Sequence, residues 1–343
     1  MDLKQVDTEL ARLLDQRARL VTGRTNAPAK TRVFPENELK AFLRDAATVC
    51  EQLVRPKRVA FLGPLCTYTH EAAEAFFGVG IALAPVLSIP AVFDEVAQGQ
   101  SDFGVVPIEN STDGRVVDTL ENFVNCRLEI CGEVALPIRH ALMAKCERSE
   151  IVEVHSKPQA LSQCRHWLLK HLPDARLIAA ESTAAAAKRA GTKPGIAAVA
   201  SPLAAREYGL NILVPSIVSS AQNTTRFVVL RKVPEGKEPA PTLAEKKASK
   251  TTLLFKLRHE SGALADALMI FKRQHLNLTW IESFPLPDEP GRYLFFVDLE
   301  GHQTDLKVRR ALAALEKKAS RLDVLGSYRR ADQSGIRAIE EAR

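Results

Sequence analysis

Between Leu3 and Val21 the apolar residues Leu3, Val6, Leu10, Leu13, Leu14 and Val21 recur at three- and four-residue steps, with charged residues between them. That spacing predicts one amphipathic helix over residues 3–21. A loop rich in Gly, Asn and Pro follows from Gly23 to Pro35, then a second helical segment through Leu39, Phe42, Leu43, Ala46 and Leu53, ended at Pro56-Lys57-Arg58. From Val59 the period changes. Short apolar runs (59–62, 103–106, 151–154, 177–180, 196–200 and, last, 226–230) alternate with helical stretches starting near His70 and spanning 161–169 and 184–190. Continuous apolar strands alternating with helices predict an α/β domain with largely parallel sheets.

Residues 233–250 are polar and carry Pro234, Pro239 and Pro241, the pattern of a linker between a domain at 57–232 and whatever follows. Beyond it the order is strand, helix, strand, strand, helix, strand, with strands at 252–257, 276–281, 293–299 and 322–326 and helices at 263–274 and 305–318. This is a ferredoxin-like βαββαβ pattern over 251–330, the size of a regulatory module, followed by a tail at 331–343.

Length and composition narrow the function classes. The chain has 343 residues, 46% hydrophobic and 26% charged, as a folded multi-domain protein should. No stretch reaches the roughly 18 apolar residues of a membrane span, and the first residues lack a secretory pattern, so a cytoplasmic protein is expected. The net charge of +6 is spread without an aromatic-interleaved basic stripe, which argues against nucleic acid as a partner. Cys50, Cys66, Cys126, Cys131, Cys146 and Cys164 show neither a CxxC pair nor metal-ligand spacing. They read as reduced thiols, and no metal or organic cofactor is expected.

Three segments at strand ends are richer in polar groups than packing requires. Gly63-Pro64-Leu65-Cys66-Thr67-Tyr68-Thr69-His70-Glu71 follows a strand and opens a helix, where free backbone N–H groups favour anions; helix capping by Thr67 or Thr69 explains it equally well. Glu109-Asn110-Ser111-Thr112-Asp113-Gly114 follows a buried strand, and turn chemistry accounts for about half of it. Asn223-Thr224-Thr225-Arg226-Phe227 leads into a strand, setting a potential carboxylate fork beside a hydroxyl that can give up a proton.

Together these segments resemble the prephenate dehydratase family. The resemblance rests on Gly63-Pro64, Thr67 to Ala73, Pro107 to Ser111, Ser156-Lys157-Pro158-Gln159-Ala160-Leu161 with Gln163-Cys164, Glu181-Ser182-Thr183 and Thr225-Arg226-Phe227, in the family's order across 58–230. The C-terminal unit resembles an ACT domain at Gly262-Ala263-Leu264, Glu282-Ser283-Phe284-Pro285 and Phe295 to His302. The resemblance implies a two-lobed catalytic domain like the type-2 periplasmic binding proteins, with prephenate in the cleft. It implies Thr225 as proton donor and Arg226 as carboxylate holder, with Thr67, Thr69, Asn110, Ser111, Thr183 and Phe227 lining the substrate site. It further implies that L-phenylalanine binds as effector at Gly262, Ala263, Leu264, Glu282 and Ser283, in a homo-oligomer, dimer or tetramer, of paired ACT units.

Departures from the family are as informative. Cys66 stands where the family has glycine, Lys157 where it has histidine, and Phe284 where it has the arginine of Glu-Ser-Arg-Pro. Residues 1–56 resemble the start of an AroQ-type chorismate mutase helix through Asp7, Leu13, Leu14 and Arg17. The arginine upstream of Asp7 is absent, Asn37 replaces another, and no third long helix precedes Val59. This reads as a degenerate mutase remnant with Arg17 and Glu38 as relics. The alternatives are a bifunctional mutase–dehydratase, an arogenate dehydratase, and a non-enzymatic two-lobed sensor of small molecules.

Overall fold

A computed structural model describes residues 2–22, 33–36, 38–40, 42–43, 46, 50, 57–78, 80–217, 223–233, 248–286, 289 and 291–331. The linker residues 234–247, the C-terminal tail from 332, and most of the second N-terminal helical segment lie outside them. The first helix, α1, runs Leu3–Thr22 and buries none of its residues. Its C-terminal half is tied to residues 33–34, because the Asp15 carboxylate accepts from the backbone N–H groups of Val33 and Phe34 and pairs with Arg19.

Lobe 1 is a six-stranded sheet in which β1 (Arg58–Leu62), β2 (Ala82–Val86) and β3 (Phe103–Asn110) are parallel. The short β4 (Gly114–Arg115) folds back on β3. Helices α2 (Tyr68–Phe77), α3 (Ile89–Gln98) and α4 (Val117–Asn125) connect these strands. Thr67 caps α2 and Ser88 caps α3, each accepting from a first-turn N–H. Two long strands then complete the sheet in the antiparallel sense: β5 (Leu128–Pro137), which leads out of the lobe, and β11 (Thr224–Lys232), which returns to it.

Lobe 2 lies between these crossings. Its strands are β6 (Ala141–Ala144), β7 (Glu153–Ser156), β8 (Arg176–Ala179), β9 (Ile196–Ala200) and β10 (Asn211–Val214), in the order β10-β6-β9-β7-β8. Strands β7, β8 and β9 are parallel, β6 pairs antiparallel with β9, and β10 pairs antiparallel with β6. The expectation of largely parallel sheets is thus half met in each lobe. Every element that crosses or borders the hinge is antiparallel. Helices α5 (Pro158–His171), α6 (Thr183–Ala190) and α7 (Pro202–Glu207) cover lobe 2. On α6, Ala184, Ala186, Ala187 and Ala190 are fully buried, and their small side chains let the helix lie close on β9.

The C-terminal unit is β12 (Ser249–Leu257), α8 (Ala263–Arg273), β13 (Leu278–Pro285), β14 (Tyr293–Glu300), α9 (Leu306–Glu316) and β15 (Ala319–Arg329). Its antiparallel sheet has the order β13-β14-β12-β15, a ferredoxin-like arrangement. One face packs on α8 and α9 through Leu253, Phe255, Phe271 and Val297. The other face turns Leu254, Phe284, Phe296 and Tyr328 into the same apolar core as Val228, Leu230 and Phe123 of lobe 1. Phe284 is therefore an interface residue, where burying an apolar side chain contributes about 1.5–3 kcal/mol. At Gly326 a Cβ would stand 2.1 Å from the Ile130 carbonyl oxygen, so a strand of this unit rests directly on β5.

Candidate active site

Alternation along β11 decides which residues meet. Thr225 pairs with Asn110 on β3 and with Leu136 on β5, and shares its sheet face with Phe227 and Val229, the face covered by α2. Arg226 points the other way, as adjacent strand residues must. Its guanidinium is 2.8 Å from Asp298 of the C-terminal sheet and 3.4 Å from Glu109, and it lies over the Trp280 ring at 4.8 Å. Burial alone would lower its pKa, but Asp298, with Tyr328, Glu133 and Glu109, outweighs this and raises it. Lys250 completes the cluster, 2.7 Å from Glu133 and 3.2 Å from Asp298. The carboxylate-holding role expected for Arg226 does not fit this placement. Arg226 anchors the catalytic strand to the C-terminal unit. Phe227 is likewise a core residue, 2% exposed, rather than a lining one.

Around Thr225 the geometry is specific. Asn110 Oδ1 accepts from the backbone N–H groups of Thr112 and Asp113, at 2.9 and 3.0 Å, so its amide orientation is set. Its Nδ2 then donates to Asn223 Oδ1 at 2.9 Å and to Thr225 Oγ1 at 2.7 Å. The threonine oxygen thus accepts a hydrogen bond, and its own proton is committed to no acceptor among the described residues. Ser111 bonds Thr224 through both backbone and hydroxyl, closing the turn against β11.

Lobe 2 reaches this centre through α5. Gln163 Oε1 accepts from Asn223 Nδ2 at 3.1 Å, and Gln163 Nε2 donates to Asp113 Oδ2 at 3.0 Å. Gln159 donates to the same carboxylate. Sequence reasoning did not assign Gln163, Asn223 and Asp113 to the site, although Asn223 and Asp113 fall inside the polar segments it singled out and Gln163 inside a motif of the family resemblance. Their sequence separations of 50 to 113 residues hide the contacts.

The remaining sites expected from sequence divide. Thr67 spends its hydroxyl on capping, donating to the Leu62 carbonyl and accepting from the His70 N–H. Thr69 is buried in the first turn of α2, and Thr183 in the first turn of α6 beside the capping Ser182. Lys157 is exposed ahead of α5, so its charge is solvated. Cys66 has φ +66, a left-handed conformation that favours glycine, the residue the family resemblance leads one to expect there. Its side chain sits among the alanines of lobe 2, and burial, with Glu207 and Glu74 nearby, pushes the thiol up to about 11.

In the C-terminal unit Gly262 has left-handed backbone ahead of α8, and Leu264 and Ser283 are exposed. Glu282 faces lobe 1 and is paired with Arg115 of β4, so Glu282 and Ser283 lie on opposite faces of β13.

The family model for prephenate dehydratase matches residues 59–235, which include both lobes and the Asn110–Thr225 pair. The chain belongs to the prephenate dehydratase family. It is 38% identical to a bifunctional chorismate mutase/prephenate dehydratase of Aquifex aeolicus over 96% of both chains. Against a prephenate dehydratase of Amycolatopsis methanolica it is 36% identical, over 83% of this chain and 91% of that one. Among solved structures, a prephenate dehydratase of Arthrobacter aurescens in complex with L-Phe has a TM-score of 0.71 and 32% identity, over 83% of this chain and 97% of that one. A chain described as GqqA, a novel type of quorum quenching acylase, has a TM-score of 0.72 and 27% identity, over 81% of this chain and 99% of that one. This chain is a prephenate dehydratase, a lyase.

Proposed function

We propose that Thr225 gives its proton to the departing ring hydroxyl of prephenate. The C–C bond to the ring carboxylate breaks, its electron pair makes the ring aromatic, and the hydroxyl leaves as water. Carbon dioxide and phenylpyruvate are the other products. An isolated threonine hydroxyl is too weak an acid for this. The observation that carries the reading is the 2.7 Å donation from Asn110 Nδ2 to Thr225 Oγ1. It stabilises negative charge developing on that oxygen and aims the O–H elsewhere. A nucleophilic threonine, as an acylase would need, requires a base accepting its proton instead. Asn110, Ser111, Thr69 and Thr183, with the N-termini of α2 and α6, form the surface for the two substrate carboxylates.

Thr225→Val keeps the shape and removes the proton. Its kcat for phenylpyruvate formation should fall about 10²- to 10⁴-fold with KM nearly unchanged. Activity within threefold of the parent would remove Thr225 from the role.

The C-terminal unit is a site for an amino-acid effector, and L-phenylalanine is the effector we assign, supported by the complex of the Arthrobacter relative. Gly262, Ala263, Leu264 and Ser283 would form it in an even-numbered assembly in the cytoplasm, and Glu282 would join only on leaving Arg115. A second reading, chorismate mutase activity in residues 1–56, is favoured by the name of the Aquifex relative. Asn37 in place of an arginine, and the wholly unburied α1, weigh against it. Chorismate consumption by the purified protein separates the two.

A further inference from the structure

The hinge holds a buried histidine that the chemistry above does not use. His140 is 4% exposed, between β5 and β6, where the chain passes from lobe 1 to lobe 2. Its Nε2 is 3.1 Å from Gln163 Oε1, and its Nδ1 is 3.0 Å from the Tyr68 hydroxyl on α2. The same Tyr68 hydroxyl is 2.8 Å from the Arg139 carbonyl oxygen, and its ring meets the imidazole edge-on. The backbone around His140 is equally tied: its carbonyl accepts from Ile217, and Ile138 donates to Asn223.

Bond directions settle what the imidazole does. Gln163 donates to Asp113 through Nε2, so the atom facing His140 is the carbonyl oxygen, an acceptor. His140 Nε2 must therefore carry a proton and donate it. That same oxygen accepts from Asn223 Nδ2, and Asn223 Oδ1 accepts from Asn110 Nδ2, the group that bonds Thr225. We infer that His140 is a positioning residue of the dehydratase: by holding the Gln163 carbonyl across the hinge, it fixes Asn223 and Asn110 and so aims the Thr225 hydroxyl. The inference rests on Thr225 as the proton donor. It also assigns the hinge a role in catalysis, since the chain of bonds closes only when α5 of lobe 2 approaches β3 and β11 of lobe 1.

The test compares two substitutions of similar bulk. His140→Gln keeps an N–H donor near the Nε2 position; His140→Met keeps only volume. With prephenate as substrate, H140M should lose about 10- to 100-fold in kcat with KM within about threefold, and H140Q should stay within about threefold in both. In a cycle with Gln163→Met, the H140M/Q163M enzyme should be no slower than Q163M alone, because both break one chain. Equal losses in H140M and H140Q, or multiplicative losses in the cycle, would overturn the assignment. So would failure of both single variants to fold, which would make His140 a residue of hinge stability. T225V run alongside tests the underlying reading separately: full activity there removes the donor, whatever the H140M–Q163M pair shows.

Discussion

Replacing Arg226 by methionine separates an interface anchor from a substrate clamp. The side chain of Asp298 is 0% exposed and that of Glu133 4%, and among the described residues Arg226 and Lys250 are the cations that neutralise them. Removing Arg226 leaves one buried cation for these two carboxylates, with Glu109 adding partial charge at the edge. Breaking a buried pair by removing one partner costs about 3–5 kcal/mol, because the survivor is left uncompensated. Loss of the contact over Trp280 adds about 0.5–2 kcal/mol. Trp280 itself reports the event: the chain has two tryptophans, and the other, Trp167, is on α5 of lobe 2. In a W167F background, urea unfolding followed by Trp280 fluorescence should move to lower midpoint in R226M. If uncompensated charge is the cause, R226M/D298N should be more stable than R226M, by about 1–3 kcal/mol. A clamp predicts the reverse pattern. KM for prephenate would rise at least about 30-fold, the equivalent of 2 kcal/mol, with the unfolding midpoint unmoved. That outcome would refute the placement of Arg226 on the far face of β11.

Other perturbations test other links. Gly326→Ala puts a methyl into the Ile130 backbone, so it should loosen the C-terminal sheet from lobe 1 by about 1–3 kcal/mol or more, read as a lowered urea midpoint of Trp280 in the same background. Burial lowers the pKa of both His70 and His140. Unfolded histidines bind protons below about pH 6.5 that the folded ones refuse, so stability should be full above that pH and fall as the pH drops towards the folded values. Each histidine contributes a slope of at most about 1.4 kcal/mol per pH unit, measurable as urea midpoints from pH 7.5 to 5. Cys66 and Cys164 are buried, and burial pushes their thiols up to about 11 and about 12, so a thiol reagent at pH 8 should leave both unlabelled while exposed Cys50 reacts. Mass mapping of labelled peptides checks this, with labelling of Cys66 in native protein the contrary result.

The strands and helices were legible because burial writes a period into the chain. The all-apolar run at Ile196–Ala200 is a strand buried at every position, and Ala263–Arg273 is a helix with one apolar face. Strand β5 escaped notice because Glu129, Gly132 and Glu133 interrupt its apolar pattern. Glu133 is there for Lys250 and Arg226, partners that no local pattern reveals. Cys66 was legible as an exception where the family has glycine, but not its conformation: the backbone there has positive φ and the thiol is buried in lobe 2.

The candidate site was legible as segments and not as directions. Thr225, Arg226 and Phe227 are contiguous in sequence, yet a strand sends Arg226 to the interface with the C-terminal unit and Thr225 and Phe227 to the opposite face. The same rule separates Glu282 from Ser283 on β13. Asn110 and Thr225 pair on one face, and their neighbours Glu109 and Arg226 pair across the same two strands on the opposite face, where Asp298 of the C-terminal sheet meets Arg226. One pair of strands thus carries the proposed proton donor on one side and the attachment of the C-terminal unit on the other. That unit touches the two strands through Arg226 and through Arg115, which stands opposite Glu109, without crossing the cleft. The contact is directional as well as apolar: Arg226 meets Asp298, Lys250 meets Glu133, and Arg115 meets Glu282 across the same interface.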